Sequence, residues 1–198
     1  MVKKLHNPIV GDTLEIITEG RDTNQAYHLI QAFIPKGCPG PSPHYHLSFS
    51  EEFTALEGRL HLLNGNEKMV LTKGQTFLAE KGKIHTFWTT DTDTKFLCKV
   101  VPACEGQYLA ALIASNLVKA GLTNKKGIPA NIWHLAVLLD IGESRLTGFF
   151  AIIGGILGRM AKTPKGKRVK AELLEKYAVW ETGQQTIVET KNINHIDT

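Results

Sequence analysis

The chain has 198 residues, enough for one domain with a sizeable core or one domain plus an extension. With 42% hydrophobic and 21% charged residues it falls outside the compositions of disordered and fibrous chains. The net charge of +4 is local: residues 159–176, RMAKTPKGKRVKAELLEK, carry seven basic and two acidic residues, a net +5, so the remainder sums to −1 and gives no electrostatic case for nucleic acid.

The first twenty residues, MVKKLHNPIVGDTLEIITEG, carry basic side chains with no apolar segment behind them, so no secretory leader is expected. From there to about residue 101 the pattern is β. Short runs rich in Val, Ile, Thr and Phe are bounded by Gly, Pro, Asn and Asp. Strands are expected at 13–18, 26–34, 51–57, 59–63, 67–71, 75–79, 84–89 and 94–101. Asn64-Gly65 marks a hairpin, read as a type I′ turn because that turn needs positive φ at both central residues. Many short strands at this spacing point to a sandwich or barrel rather than βαβ units. The three cysteines, Cys38, Cys98 and Cys104, show no CxxC spacing, which argues against a disulfide framework and for a reducing, cytoplasmic setting.

Past Glu105 the period changes. Leu109, Leu112, Ile113 and Leu117 recur at helical spacing, and Gly121 stands where a helix would stop. Helices are also expected at 131–140 and 147–161, and from a Thr163 cap with Pro164 in the first turn to about Tyr177. The apolar run from Phe149 to Leu157 is far shorter than the roughly 20 residues of a membrane span. It reads as a helix buried against the β unit or a partner subunit, ahead of the alternative of an interfacial membrane contact aided by the basic segment after it. The expected organisation is a β domain over residues 1–102 and a C-terminal helical extension over 103–198.

The chemistry concentrates at SPHYHLSFSEEFTALEG, residues 42–58. His44 and His46 alternate in an extended segment and so point to one side. After the hairpin and one further strand comes His85, in an alternating segment able to cross beside the first pair, since neighbouring strands lie about 4.8 Å apart. Glu51 has the parity to join the three imidazoles. A sulfur-free set of three histidines and one glutamate suits one divalent ion (iron, manganese, nickel, copper or zinc) better than calcium. On an octahedral ion it would leave two positions open for water, dioxygen or a substrate oxygen. The other histidines, His6, His28, His61, His134 and His195, are expected to be solvated or hydrogen-bonded structural residues. Phe53, Ala55 and Phe87 share the ligands' parity and are expected to line the interior, with Phe33 a further candidate; Tyr45 should face the other way.

The two stretches resemble the paired motifs of the cupin superfamily. In the first, His44-Tyr45-His46 is followed by LSFS, then Glu51, then six residues, then Gly58. In the second, Gly74 is followed by QTFLA, then Glu80-Lys81-Gly82, two residues, His85, TFW and Thr89. Fifteen residues separate Gly58 from Gly74, a short loop between the motifs. Only Glu51, not Glu52, fits both spacings. Three positions depart from the pattern: Cys38 stands where a glycine is usual, Glu80 replaces proline and Thr89 replaces asparagine. None of these is a ligand position, so turn geometry rather than ligation is affected.

The resemblance covers residues 8 to 102 and implies a mainly β fold, the double-stranded β-helix or jelly-roll barrel, with the C-terminal α-helical extension outside it. It also implies a metal at His44, His46, Glu51 and His85 near one mouth of the barrel, and a homodimer. The function expected on this basis is a metal-dependent enzyme acting on a small organic molecule, most plausibly an oxygenase. Glu51 or bound water would then carry any proton, since no other interior base stands out. The alternative is a non-catalytic module that binds or senses a small ligand.

Overall fold

The computed structural model describes residues 3–148 and 150–180. Phe149, His195 and the rest of the expected extension beyond Trp180 lie outside the described residues.

Ten strands come first: β1 (Lys3–His6), β2 (Thr13–Thr18), β3 (His28–Ile34), β4 (His44–His46), β5 (Ser50–Glu57), β6 (Leu60–Asn64), β7 (Glu67–Leu71), β8 (Thr76–Ala79), β9 (His85–Trp88) and β10 (Thr94–Val101). Then follow α1 (Glu105–Lys119), α2 (Ile132–Ile141), a short β11 (Ser144–Leu146), α3 (Phe150–Ala161) and α4 (Pro164–Tyr177). All the strand pairs are antiparallel. They form a six-stranded sheet in the order β1-β2-β3-β10-β5-β8 and a five-stranded sheet in the order β11-β4-β9-β6-β7. The fold is therefore mainly β, two antiparallel sheets with a helical C-terminal region, as the cupin-like spacing implied.

Alternation decides which side chains enter the space between the sheets. On β3 the buried residues are His28, Ile30, Ala32 and Ile34; on β5 they are Glu51, Phe53 and Ala55; on β10 they are Thr94, Phe96, Cys98 and Val100. Phe53, Phe87 and Phe96 meet at ring-centroid distances of 5.3 to 5.9 Å and fill the barrel below the histidines. Each ring pair adds about 0.5–1.5 kcal/mol beyond its buried area.

The hairpin between β6 and β7 is where expected, but the turn is offset by one residue. Asn64 pairs with Glu67, so the two central residues are Gly65 and Asn66. Gly65 has φ +61 and Asn66 is not among the positive-φ residues, the pattern of a type II′ turn with glycine first. Gly58 ends β5 at φ +75 where a Cβ would stand 2.2 Å from the Asp93 carbonyl oxygen, so the motif's last glycine is required by a close backbone approach.

The helices form a second core of Ile113, Leu117, Ala136, Val137, Leu157 and Leu173. α2 starts on Asn131, whose side chain accepts from the Trp133 N–H at 2.9 Å. α4 starts on Thr163, which accepts from the Gly166 N–H at 3.1 Å with Pro164 behind it. α3 is buried on one side only. Leu157 and Ala161 point inward, while Ile152, Ile153 and Ile156 are 74%, 39% and 54% exposed. Among the described residues no helix is long and apolar enough to cross a membrane.

β1 and β11 are absent from the sequence-based assignment. β11 pairs Ser144 with His46, Arg145 with Tyr45 and Leu146 with His44, so it adds an edge strand to the sheet that carries the histidines.

Candidate metal centre

The two sheets each supply part of one cluster. His44 stands directly opposite His85 in the β4–β9 pairing, and His46 follows on the same face of β4. Glu51 comes from the other sheet, on β5 between Val100 of β10 and Ala79 of β8. The four residues offer ligand atoms that all lie within 4.8 Å of one another. The imidazole centroids are 4.8 Å (His44–His46), 4.7 Å (His44–His85) and 5.3 Å (His46–His85) apart. His46, Glu51 and His85 are 3%, 4% and 1% exposed; His44 is the most open of the four. The sequence thus brings all four expected ligands together, and Glu52 faces away, paired with Lys99.

Hydrogen bonds orient two of the rings. Nδ1 of His44 lies 2.8 Å from the Ser42 carbonyl oxygen and Nδ1 of His85 lies 2.9 Å from that of Lys83. Only a protonated Nδ1 can bond a carbonyl, so each ring turns Nε2 toward the cluster. His46 is held by stacking on Phe49, with centroids 4.1 Å apart. Phe49 has no strand periodicity to announce it, and sequence reasoning passed over it.

The electrostatics are those of a cluster able to hold a cation. Burial pushes Glu51 up, but the imidazoles of His46 and His85 beside it outweigh burial and hold the carboxyl well below its usual range. Burial likewise opposes a charged His85, yet its hydrogen bond and charge contact with Glu51 leave it raised; Nε2 of His85 lies 3.0 Å from Oε2. His44 is pushed down to about 4, chiefly by burial. His46 Nε2 lies 3.6 Å from the same Oε2, too far for a hydrogen bond, and both of its ring nitrogens are buried without a partner. A buried orphan of this kind costs about 1–3 kcal/mol. Three imidazoles, a carboxylate held ionised and an unpaired ring nitrogen make a donor set that fits a divalent transition-metal ion.

Strand parity places the residues around the cluster, and it sets one of the expected lining residues apart. Phe53 and Ala55 are buried on the Glu51 face, and Phe87 meets Phe53 and Phe96. Phe33 lies on the outward face of β3, opposite Lys95 and alternating with buried Ala32 and Ile34, so it does not line the interior. The departures from the motif are accommodated locally. Thr89 accepts from the Cys38 N–H at 3.1 Å and donates to the Pro35 carbonyl at 2.6 Å, pinning the loop that leads toward β4. Among the described histidines outside the cluster, His61 stacks on Trp88, His6 bonds the Asp12 carbonyl, and His28 accepts from the Cys104 N–H.

Residue Gln107, on α1, was not anticipated. Its Nε2 donates to Oε1 of Glu51 at 3.1 Å. No spacing rule links a helical glutamine to a strand glutamate 56 residues earlier.

The chain matches the family model described as Cupin domain over residues 31–100. No curated protein sequence matches it. Solved structures similar to it include KdgF from Halomonas sp., at 17% identity and a TM-score of 0.42, covering 46% of this chain and 79% of that one. An RmlC-like cupin from Shewanella frigidimarina NCIMB 400 matches at 20% identity and a TM-score of 0.45, covering 52% of this chain and 86% of that one. Ectoine synthase from P. lautus matches at 14% identity and a TM-score of 0.41, covering 46% of this chain and 64% of that one. Both histidine-bearing motifs lie inside the matched segment, so residues 31–100 are similar to a cupin domain over about a third of the chain.

Proposed function

We propose that this cupin binds one divalent metal ion through His44, His46, Glu51 and His85 and acts on a small organic molecule, most readily as an oxygenase. The observation that carries the reading is the convergence of four donor atoms within 4.8 Å, among them a buried His46 ring whose nitrogens have no hydrogen-bond partner. An ion there would be a Lewis acid with open positions able to take oxygen-containing ligands. The chain's part is positioning. The backbone carbonyls of Ser42 and Lys83 fix the tautomers of His44 and His85, and Phe49 fixes the plane of His46. Among the described residues Glu51 is the one carboxylate in the cluster and the residue to which proton transfer falls. The Phe53, Phe87 and Phe96 rings close the interior below, so a substrate approaches from the side of His44 and meets partly apolar surroundings. A cytoplasmic location fits three cysteines that are all free, two of them buried. A homodimer fits the exposed isoleucine side of α3.

The test is metal content of the purified protein by mass spectrometry, followed by oxygen uptake with catechols, diketones and flavonols. The expected result is stoichiometric metal and uptake with at least one class, and a His46→Ala protein that keeps its fold and loses the metal. A wild-type site that cannot be loaded overturns the metal reading. A loaded site that consumes no oxygen with any substrate favours the non-catalytic ligand-binding module.

A further inference from the structure

Two buried polar atoms near the cluster lack partners, and they are complementary. His28 is fully buried, and its Nδ1 accepts from the Cys104 N–H at 3.3 Å. An accepting Nδ1 carries no proton, so in the neutral ring the proton sits on Nε2, which becomes a buried donor. That Nε2 makes no hydrogen bond within ordinary geometry, and neither does the buried Oε1 of Gln107, an obligate acceptor. The other end of the same amide donates to Glu51 Oε1. The Gln107 side chain acts on the His28 ring, and pairing His28 Nε2–H with Gln107 Oε1 would satisfy both atoms and give one chain, from the Cys104 backbone through His28 and Gln107 to the carboxylate.

The extension also grips the other sheet of the cluster. β11 pairs residue for residue with β4. Ser48, just past β4, donates to Glu143, and Thr147 donates to the Pro43 carbonyl at 3.1 Å, so both ends of the histidine strand are tied to residues beyond 140. Gly106 lets α1 come close enough to do this. A Cβ there would stand 2.0 Å from the Ile141 carbonyl oxygen, at the end of α2 that leads into β11.

We propose that Gln107 is a positioning residue for Glu51, held by His28, which reserves Oε1 of the carboxylate and leaves only Oε2 to the metal. This rests on the metal reading above. In it, the helical extension is part of the apparatus that sets the affinity and coordination of the ion, rather than a cover on a finished barrel. The carboxylate oxygen nearest the imidazoles is already Oε2, at 3.0 Å from His85 Nε2 and 3.6 Å from His46 Nε2. With Oε1 engaged by an amide, one-oxygen ligation is built in and a second coordination position stays open for substrate.

The experiment titrates cobalt(II) into the metal-stripped full-length protein against a competing chelator and records the visible spectrum of the loaded form. Wild type, Gln107→Met and His28→Phe are compared, the variants keeping side-chain bulk while losing the amide and the ring N–H. Gln107→Met is expected to weaken cobalt binding about 10- to 100-fold and to shift the cobalt bands as Glu51 relaxes toward two-oxygen ligation. His28→Phe should shift both in the same direction by less. A Gln107→Met protein with wild-type affinity, or with weakened affinity and an unchanged spectrum, overturns the proposal. Should Gln107→Met not fold, a His28→Phe protein indistinguishable from wild type overturns it. A wild type that takes up no cobalt strikes the metal reading itself.

Discussion

The barrel and the helical layer bury their interiors by different means. Between the sheets the core is aromatic and mixed with polar groups: Phe49, Phe53 and Phe96 share the space with His28, His46, Glu51 and His85. Among the helices the buried residues are aliphatic, with Leu117, Val137, Leu157 and Leu173 at 1% exposure or less and no buried charge among the cluster. α1 belongs to both, since Tyr108 and Leu112 enter the barrel core while Ile113 and Leu117 enter the helical one. The contrast separates a core that gathers titratable side chains from a core that is aliphatic throughout.

Matched truncations are the strongest way to break that contrast. Phe96→Ala removes the ring that backs both Phe53 and Phe87 and should cost about 3–5 kcal/mol of stability in denaturant titrations. Metal affinity should fall with it, because Phe53 in turn lies beneath His85 at 6.4 Å. Leu173→Ala should cost about 2–5 kcal/mol while leaving the affinity of the folded protein unchanged. Equal losses of metal affinity in both variants would show that the two cores are one.

The pH dependence of the metal-free protein sharpens the same point, because the buried titrating groups sit on the barrel side. Burial pushes His28 down to about 4 from 6.5, and His44 likewise. The unfolded chain therefore binds more protons than the folded one between those values, and stability falls as the pH drops from 6.5 toward 4. The share of His28 approaches about 3 kcal/mol. His85 works in the opposite sense. Its folded value is raised, so its contribution is full below 6.5 and fades as the pH climbs through that raised value. Urea denaturation at pH 7 and pH 4.5 measures the net slope, and His28→Phe should flatten it. An identical slope in that variant would remove His28 from the account.

The barrel half was the more legible in sequence for a physical reason. Residues on one strand obey a period of two, which puts His44 and His46 on one side, and the resemblance to the cupin motifs implies Glu51 and His85 beside them; the four do converge. Strand limits at 13–18, 67–71 and 94–101 coincide with β2, β7 and β10. Phe33 misled because an aromatic in a strand was weighed by type rather than by its parity with Ile30 and Ile34. β11 gave no signal at all. Three residues that are each half-buried make no alternation, and the strand exists only because β4 offers an edge. Gln107 was invisible for a related reason, since a contact between a helix and a distant strand leaves no local period.

Helix starts were legible too, and Thr163 gives the smallest and cleanest test of what they contribute. α4 buries little, Gly166 and Leu173 being its buried residues, so it leans on its cap more than the strands lean on any single hydrogen bond. Thr163→Ala deletes the acceptor for the Gly166 N–H and should lower stability by about 1 kcal/mol, read as a shift in the urea midpoint at constant slope. Cobalt affinity and spectrum should not move, because α4 packs on the other helices, α1, α2 and α3, rather than on the cluster itself. That outcome, set beside a Gln107→Met protein that keeps its stability and binds cobalt more weakly, would divide the extension into a part that is folded for its own sake and a part that serves Glu51. A Thr163→Ala protein that loses metal instead would mean the whole helical layer transmits strain to the cluster.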